Sequence, residues 1–218
     1  MQPKQVWLTG KYILTAVVIV LLSILIFVKF AHDLQENQLE RFDRTYIDWI
    51  QSHISPKLTV WMKGITLFGA FQTLFVLLPV SVSLMVWRKK KWEALFFVVA
   101  VTGGMLFNQL LKQIFERERP TLRRIVEETG YSFPSGHSMA SIVFYGMLAM
   151  LFLMFVKSPV LKLLIAVTAG CLIIMIGVSR IYLGVHYPSD VVAGFAAGAA
   201  WLTVCGVGLQ AVLVSRRS

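Results

Sequence analysis

Residues 65–111 read ITLFGAFQTLFVLLPVSVSLMVWRKKKWEALFFVVAVTGGMLFNQLL. Two long apolar runs, Ile65–Trp87 and Trp92–Leu111, flank a wholly basic link, Arg88-Lys89-Lys90-Lys91. A helix needs about 20 apolar residues to span a bilayer, so each run is long enough to cross one. Four further blocks meet or approach the same requirement: Tyr12–Val28, Ser138–Val156, Leu161–Val178 and Val191–Val214. The expectation is an all-α integral membrane protein, a bundle of six transmembrane helices forming one domain over residues 1–218.

Composition agrees with that reading. Apolar residues make up 57% of the 218 residues, mean hydropathy is +0.71, and only 15% are charged. Soluble domains carry about a quarter charged residues and could not bury so much apolar surface in so short a chain. The first block follows Lys4 and Lys11 and resembles a signal peptide. It is too long for a usual apolar core region, however, and Lys29-Phe30-Ala31 makes a poor cleavage site, so it reads as a retained anchor.

The formal net charge of +10 does not point to nucleic acid, because Lys and Arg cluster at the ends of apolar blocks. Such clusters meet anionic head groups and set topology. The short Arg88–Lys91 link should face the cytoplasm. Six crossings then place both termini inside, with Lys4, Lys11, Arg216 and Arg217, and the link carrying Lys157 as well. Three outer segments remain: 29–64, 112–137 and 179–190. Cys171 and Cys205 lack metal-ligand spacing and read as small buried hydrophobes.

The first outer segment sets Phe42, Tyr46, Trp49, Ile50 and His53 at helical spacing, with Glu40, Arg41, Asp43 and Asp48 between them. This predicts an amphipathic helix lying in the membrane interface. His32 and His53 read as ordinary exposed histidines. Gly194-Phe-Ala-Ala-Gly198 is a small-residue seam suited to close helix packing, as is Gly103-Gly104, and both are expected to pack within the monomer. Oligomeric state stays open.

The other outer segments hold three polar words: Lys112 with Arg119-Pro120, then Pro134-Ser135-Gly136-His137, then Ser179-Arg180 with His186 and Asp190. A cation at the centre of a membrane helix costs about 2.5–3.5 kcal/mol, so Lys112, Arg119 and Arg180 should sit at helix ends near water. Convergence of three cations on one face suits an anion. Two guanidinium forks and an ammonium can hold the oxygens of a phosphoryl group. Ser135 would cap a helix whose first N–H groups, at Gly136 and His137, face the same anion, and glycine leaves room for close approach. His137 there can pass a proton to a leaving oxygen. Pro188 favours a helix start, placing Asp190 in the first turn beside His186. A carboxylate so placed keeps one imidazole nitrogen protonated and leaves the other free to attack. Alone, each word reads as a helix cap, a basic helix end or a surface pair. Two separated histidines and one carboxylate amid cations also make a poor divalent-metal cage. Arg117, Arg123 and Arg124 read equally as head-group contacts and as solvated loop charges.

Together the three words resemble the signature motifs of the type-2 phosphatidic acid phosphatase superfamily, matching at every specified position and in order. Size and layout are similar to its bacterial phosphatidylglycerophosphatase B branch. The resemblance implies a nucleophilic His186 oriented by Asp190, a phosphohistidine intermediate, and His137 as general acid and base. It implies Lys112, Arg119, Ser135, Gly136 and Arg180 as phosphate ligands, with no metal and no other cofactor. The expected partner is a membrane lipid phosphate at the outer leaflet. Phosphatidylglycerophosphate is the first expectation, with undecaprenyl diphosphate and phosphatidate as alternatives. A head-group phosphotransferase and a non-enzymatic lipid phosphate transporter also stay open, although a transporter has no need of the His186–Asp190 pair.

Overall fold

The computed structural model describes residues 10–121 and 123–216, so Lys4 and Arg217 lie outside the described residues. Eight helices are defined among them: α1 Gly10–Gln35, α2 Glu40–Gln51, α3 Pro56–Leu67, α4 Phe71–Trp87, α5 Lys91–Phe115, α6 Gly136–Phe155, α7 Pro159–Tyr182 and α8 Pro188–Ser215. Helices α1, α5, α6, α7 and α8 are each long and apolar enough to cross a membrane. The α3–α4 pair, bent by 45° at its break, is together long and apolar enough for a sixth.

That bend corrects the continuous helix expected over Ile65–Trp87. The span begins at Pro56, where the Ser55 side chain accepts from the Leu58 N–H and proline occupies the first turn. It breaks between Leu67 and Phe71. The Phe68 carbonyl freed there accepts a 2.8 Å hydrogen bond from the Tyr145 hydroxyl, so the break leaves no orphan at that group. The other helices also outrun their apolar blocks. α1 continues to Gln35 and carries the Lys29–Asp33 ion pair at 2.6 Å. α5 reaches Phe115, α7 reaches Tyr182 and α8 starts at Pro188. Apolar composition marks only the length that lipid covers, whereas backbone hydrogen bonding carries a helix on into its polar ends.

Helices α4, α5, α6 and α8 enclose the main core around Leu74, Phe97, Val143, Phe144, Met147 and Leu209. Helix α8 lies close against both neighbours. A Cβ on Gly198 would stand 2.2 Å from Ile142 of α6, and one on Gly103 of α5 would stand 2.5 Å from the Trp201 ring. Both small-residue seams therefore pack inside the chain. α1 and α7 present Leu14, Leu25, Leu163 and Ile174 outward, as a lipid-facing surface requires. Cys171, on the same α7, is exposed rather than buried, while Cys205 is buried as expected. Lys90 lies over the Phe155 ring and Arg216 over the Trp92 ring, which gathers the basic link and the end of α8 at one end of the bundle.

The expected amphipathic helix forms as α2, but part of its polar side turns into the bundle rather than to solvent. Asp43 and Gln51 are buried against the bundle, Ile50 packs with Met62 and Tyr182, and Trp49 points outward. His53 falls beyond its end.

Candidate active site

The three polar words meet at the end of the bundle opposite Lys90 and Arg216. Local signals place each one. The Ser135 side chain accepts from the Ser138 N–H, so α6 starts at Gly136. Pro188 opens α8, and the Asp190 side chain caps its start by accepting a 2.8 Å hydrogen bond from the Tyr187 N–H. These two helix starts dock directly. The Ser135 N–H donates to the Asp190 carbonyl at 2.9 Å, and a Cβ on Gly194 would stand only 2.7 Å from the Ser135 carbonyl oxygen. The loop after α5 is tied to the turn after α7 by the Ile125 N–H, which donates to the Leu183 carbonyl at 3.0 Å. Gly184 permits that approach. Its φ is +73°, and a Cβ there would lie 2.6 Å from the Arg123 carbonyl oxygen.

His186 lies between α7 and α8 and is 2% exposed. Its Nδ1 is 3.4 Å from Asp190 Oδ2 and 3.2 Å from the Ser132 hydroxyl, which itself donates to Asp190 Oδ2. Its Nε2 faces the other way, 3.2 Å from Arg119 Nη1. Burial pushes the His186 pKa down to about 4, and Arg119 and Arg180 act in the same direction against the Asp190 carboxylate. The ring is therefore neutral across the physiological range, with the nitrogen remote from Asp190 available as a nucleophile.

Arg119 is firmly held. Its Nε donates to Gly130 O at 2.9 Å, Nη1 to Val185 O at 2.9 Å and Nη2 to Thr129 O at 3.1 Å. Arg180, in the last turn of α7 and 2% exposed, donates to the Thr66 hydroxyl at 2.7 Å. It also forms an ion pair with Glu128, which lies 3.7 Å from Arg119. Burial alone would raise the Glu128 carboxyl, but Arg180 and then Arg119 outweigh it and hold the pKa below the usual range. A carboxylate of the chain itself thus rests between the two guanidinium groups.

Lys112 occupies the last turn of α5, donates to the Tyr131 carbonyl and lies within electrostatic reach of Arg119, Glu128, Arg180 and Asp190. His137 sits in the first turn of α6, within reach of Lys112, Arg119, Arg180 and His186. Its ring lies against the bend between α3 and α4, where a Cβ on Gly69 would be 3.2 Å from His137 Cδ2. Space beside Gly136 is filled by Asn108, whose Oδ1 would lie 3.0 Å from a Cβ there. All eight expected site residues therefore converge on one end of the bundle, with Ser135 and Gly136 engaged in starting α6.

Several residues around the site escaped the sequence reading. Thr66, Glu128 and Ser132 belong to no periodic pattern or motif word. Asp43 sits on the polar side of an amphipathic helix, where solvent is the ordinary expectation. Arg117, read equally as a head-group contact and as a solvated charge, is not a solvated loop charge. It is half-buried and ion-paired, with Nη1 2.7 Å from Asp190 Oδ1 and Nη2 2.6 Å from Asp43 Oδ2. Asp190 and Asp43 outweigh its burial and hold its pKa above the ordinary arginine value.

A polytopic helical protein with a buried His–Asp pair beside clustered cations falls in the class of membrane-embedded phosphatases. The chain belongs to the PAP2 superfamily, whose sequence profile matches residues 93–211. It is 36% identical over 146 residues to phosphatidylglycerophosphatase B of Bacillus subtilis, covering 66% of this chain and 71% of that protein. It is 28% identical over 142 residues to an undecaprenyl-diphosphatase of Sulfolobus acidocaldarius, covering 62% of this chain and 64% of that one. The fold matches the crystal structure of a transmembrane PAP2 type phosphatidylglycerolphosphate phosphatase from Bacillus subtilis with a TM-score of 0.80 and 30% identity. That match covers 87% of this chain and 94% of the solved one.

Proposed function

We propose that the protein hydrolyses the terminal phosphate of phosphatidylglycerophosphate, producing phosphatidylglycerol and phosphate through a phosphohistidine at His186. The observation that carries this reading is the orientation of His186, with Nδ1 against Asp190 and Ser132 and Nε2 turned toward Arg119. In-line attack of Nε2 on phosphorus forms the N–P bond as the P–O bond to the lipid alcohol breaks. His137 gives the leaving oxygen its proton. The same imidazole then takes a proton from water as that water attacks the phosphohistidine, freeing phosphate and restoring His186. Lys112, Arg119 and Arg180, with the α6 N-terminus, hold the non-bridging oxygens, and most of the rate comes from this fixed positive charge.

Choice of substrate leans on the likeness to the Bacillus subtilis phosphatase and on a site embedded among membrane helices, where the lipid need not leave the bilayer. The Arg88–Lys91 link and Arg216, at the end remote from the site, support an extracytoplasmic active face with both termini in the cytoplasm.

The test is turnover of purified protein, in detergent with EDTA, on phosphatidylglycerophosphate, phosphatidate and undecaprenyl diphosphate. Phosphatidylglycerophosphate should be cleaved fastest, and His186→Ala should abolish release while still binding vanadate. Dependence on added metal, or activity retained by His186→Ala, would overturn the mechanism. Faster turnover of another lipid would overturn the substrate.

A further inference from the structure

The two oxygens of Asp190 are held from different directions. Oδ2 serves the imidazole side: it accepts from the Tyr187 N–H at 2.8 Å and from the Ser132 hydroxyl, and lies 3.4 Å from His186 Nδ1. Oδ1 is bound at 2.7 Å by Nη1 of Arg117. The same nitrogen donates to Ser189 Oγ at 2.7 Å, and Nη2 donates to Asp43 Oδ2 at 2.6 Å. Asp43 in turn accepts from the Ser189 N–H at 2.9 Å and the Ser189 hydroxyl at 2.8 Å. The Tyr187 ring lies 3.9 Å from the guanidinium carbon.

This is a closed network whose carboxylates are buried and whose arginine is half-buried at the edge of a cavity. Side-chain exposure is 3% for Asp43, 13% for Arg117 and 0% for Asp190. A planar guanidinium with two carboxylates, a hydroxyl and a ring against it has little freedom to turn. A carboxylate fixed through both oxygens cannot rotate away from its imidazole. Neither Arg117 nor Asp43 is among the motif residues, and Asp43 on α2 lies outside the stretch that matches the family profile.

We propose that Arg117, anchored by Asp43 of α2, is a positioning residue that fixes the orientation and charge of Asp190 and thereby keeps the proton of His186 on Nδ1. The inference rests on His186 acting as the nucleophile. It gives α2 a task in catalysis: locking the base of the attacking ring from outside the motif-bearing helices.

The experiment uses the full chain in detergent with short-chain phosphatidylglycerophosphate, comparing wild type with Arg117→Gln, Arg117→Lys, Asp43→Asn, Asp43→Asn/Arg117→Gln and His186→Ala. Arg117→Gln should lower kcat by about 10–100-fold with KM within about threefold, because Arg117 supports the dyad and leaves the phosphate to other cations. Asp43→Asn should lose less, and the double variant no more than Arg117→Gln alone, as expected for links of one chain. Arg117→Lys should recover part of the loss, since an ammonium cannot fork to both carboxylates. Nitrogen-15 NMR of labelled histidine at pH 7 should show His186 protonated on Nδ1 in wild type and shifted toward the Nε2–H tautomer in Arg117→Gln. A purely structural role would leave that tautomer unmoved. Wild-type kcat in Arg117→Gln, or a lost kcat with the tautomer unchanged, overturns the proposal. Should Arg117→Gln fail to fold, Asp43→Asn is judged by the same two readouts. An active His186→Ala would instead refute the nucleophile, whereas an inactive one beside a fully active Arg117→Gln refutes only the positioning role.

Discussion

Replacing Glu128 with glutamine removes the carboxylate that joins Arg119 to Arg180 while keeping the side chain's shape. This acid sits between the two arginines that the proposed mechanism assigns to the phosphoryl group, so on that proposal an incoming anion must displace it. Two unit charges about 4 Å apart attract by roughly 4 kcal/mol at an effective dielectric of 20. The Glu128 side chain is 31% exposed and Arg119 approaches only to 3.7 Å, so solvent recovers much of that. The net cost of displacement is therefore about 1–2 kcal/mol, or roughly 5–30-fold in anion affinity. Inhibition by vanadate, measured against a short-chain lipid phosphate, reads this quantity directly, and Glu128→Gln should lower the inhibition constant by that factor. Without an anion the variant should also melt earlier, because Arg119 and Arg180 are left facing each other, and vanadate should raise its melting point more than that of wild type. An inhibition constant within twofold of wild type, or a weaker one with the melting point unchanged, would show that Glu128 does not compete for the cradle.

Two further outcomes follow from the same geometry. Because burial holds His186 near a pKa of about 4 against an ordinary 6.5, its nitrogen-15 NMR titration, assigned with His186→Ala, should have its midpoint near 4, and a midpoint above 6 would contradict the buried dyad. The sign for stability is set by the unfolded chain, which takes up the proton first, so this histidine favours unfolding as pH falls from about 6.5 toward 4. Gly184→Ala should cost about 1–3 kcal/mol of stability, since it forces a side chain into a left-handed turn against the Arg123 carbonyl. Thermal unfolding checks this, and an unchanged melting point would mean that the turn and the loop carrying Arg119 are not tightly coupled.

Much of the fold was legible before any coordinates. Lipid demands long apolar runs, and Trp92–Leu111 or Val191–Val214 could be read almost as α5 or α8 stands. Pro188 and Ser135 marked the two helix starts that carry Asp190 and His137, because capping is local chemistry. The bend at Gly69 was hidden, since the apolar run continues across it and the side chains that lie against that backbone, His137 and Ile176, come from far along the chain. The polar side of α2 misled for a related reason. An aspartate between exposed charges reads as solvated until its partner, Arg117, arrives from another segment.

What the sequence by itself determined is which runs are long enough to cross a bilayer and the identity of the groups gathered at one end, because bilayer thickness, caps and motif spacing act over short stretches of chain. Only the tertiary structure decided how those groups face one another: which nitrogen of His186 is turned away from Asp190, what rests between the two arginines, and that Asp43 supports the pair. Those pairings join residues up to 146 positions apart, and no local pattern encodes a contact made only when distant helix ends dock.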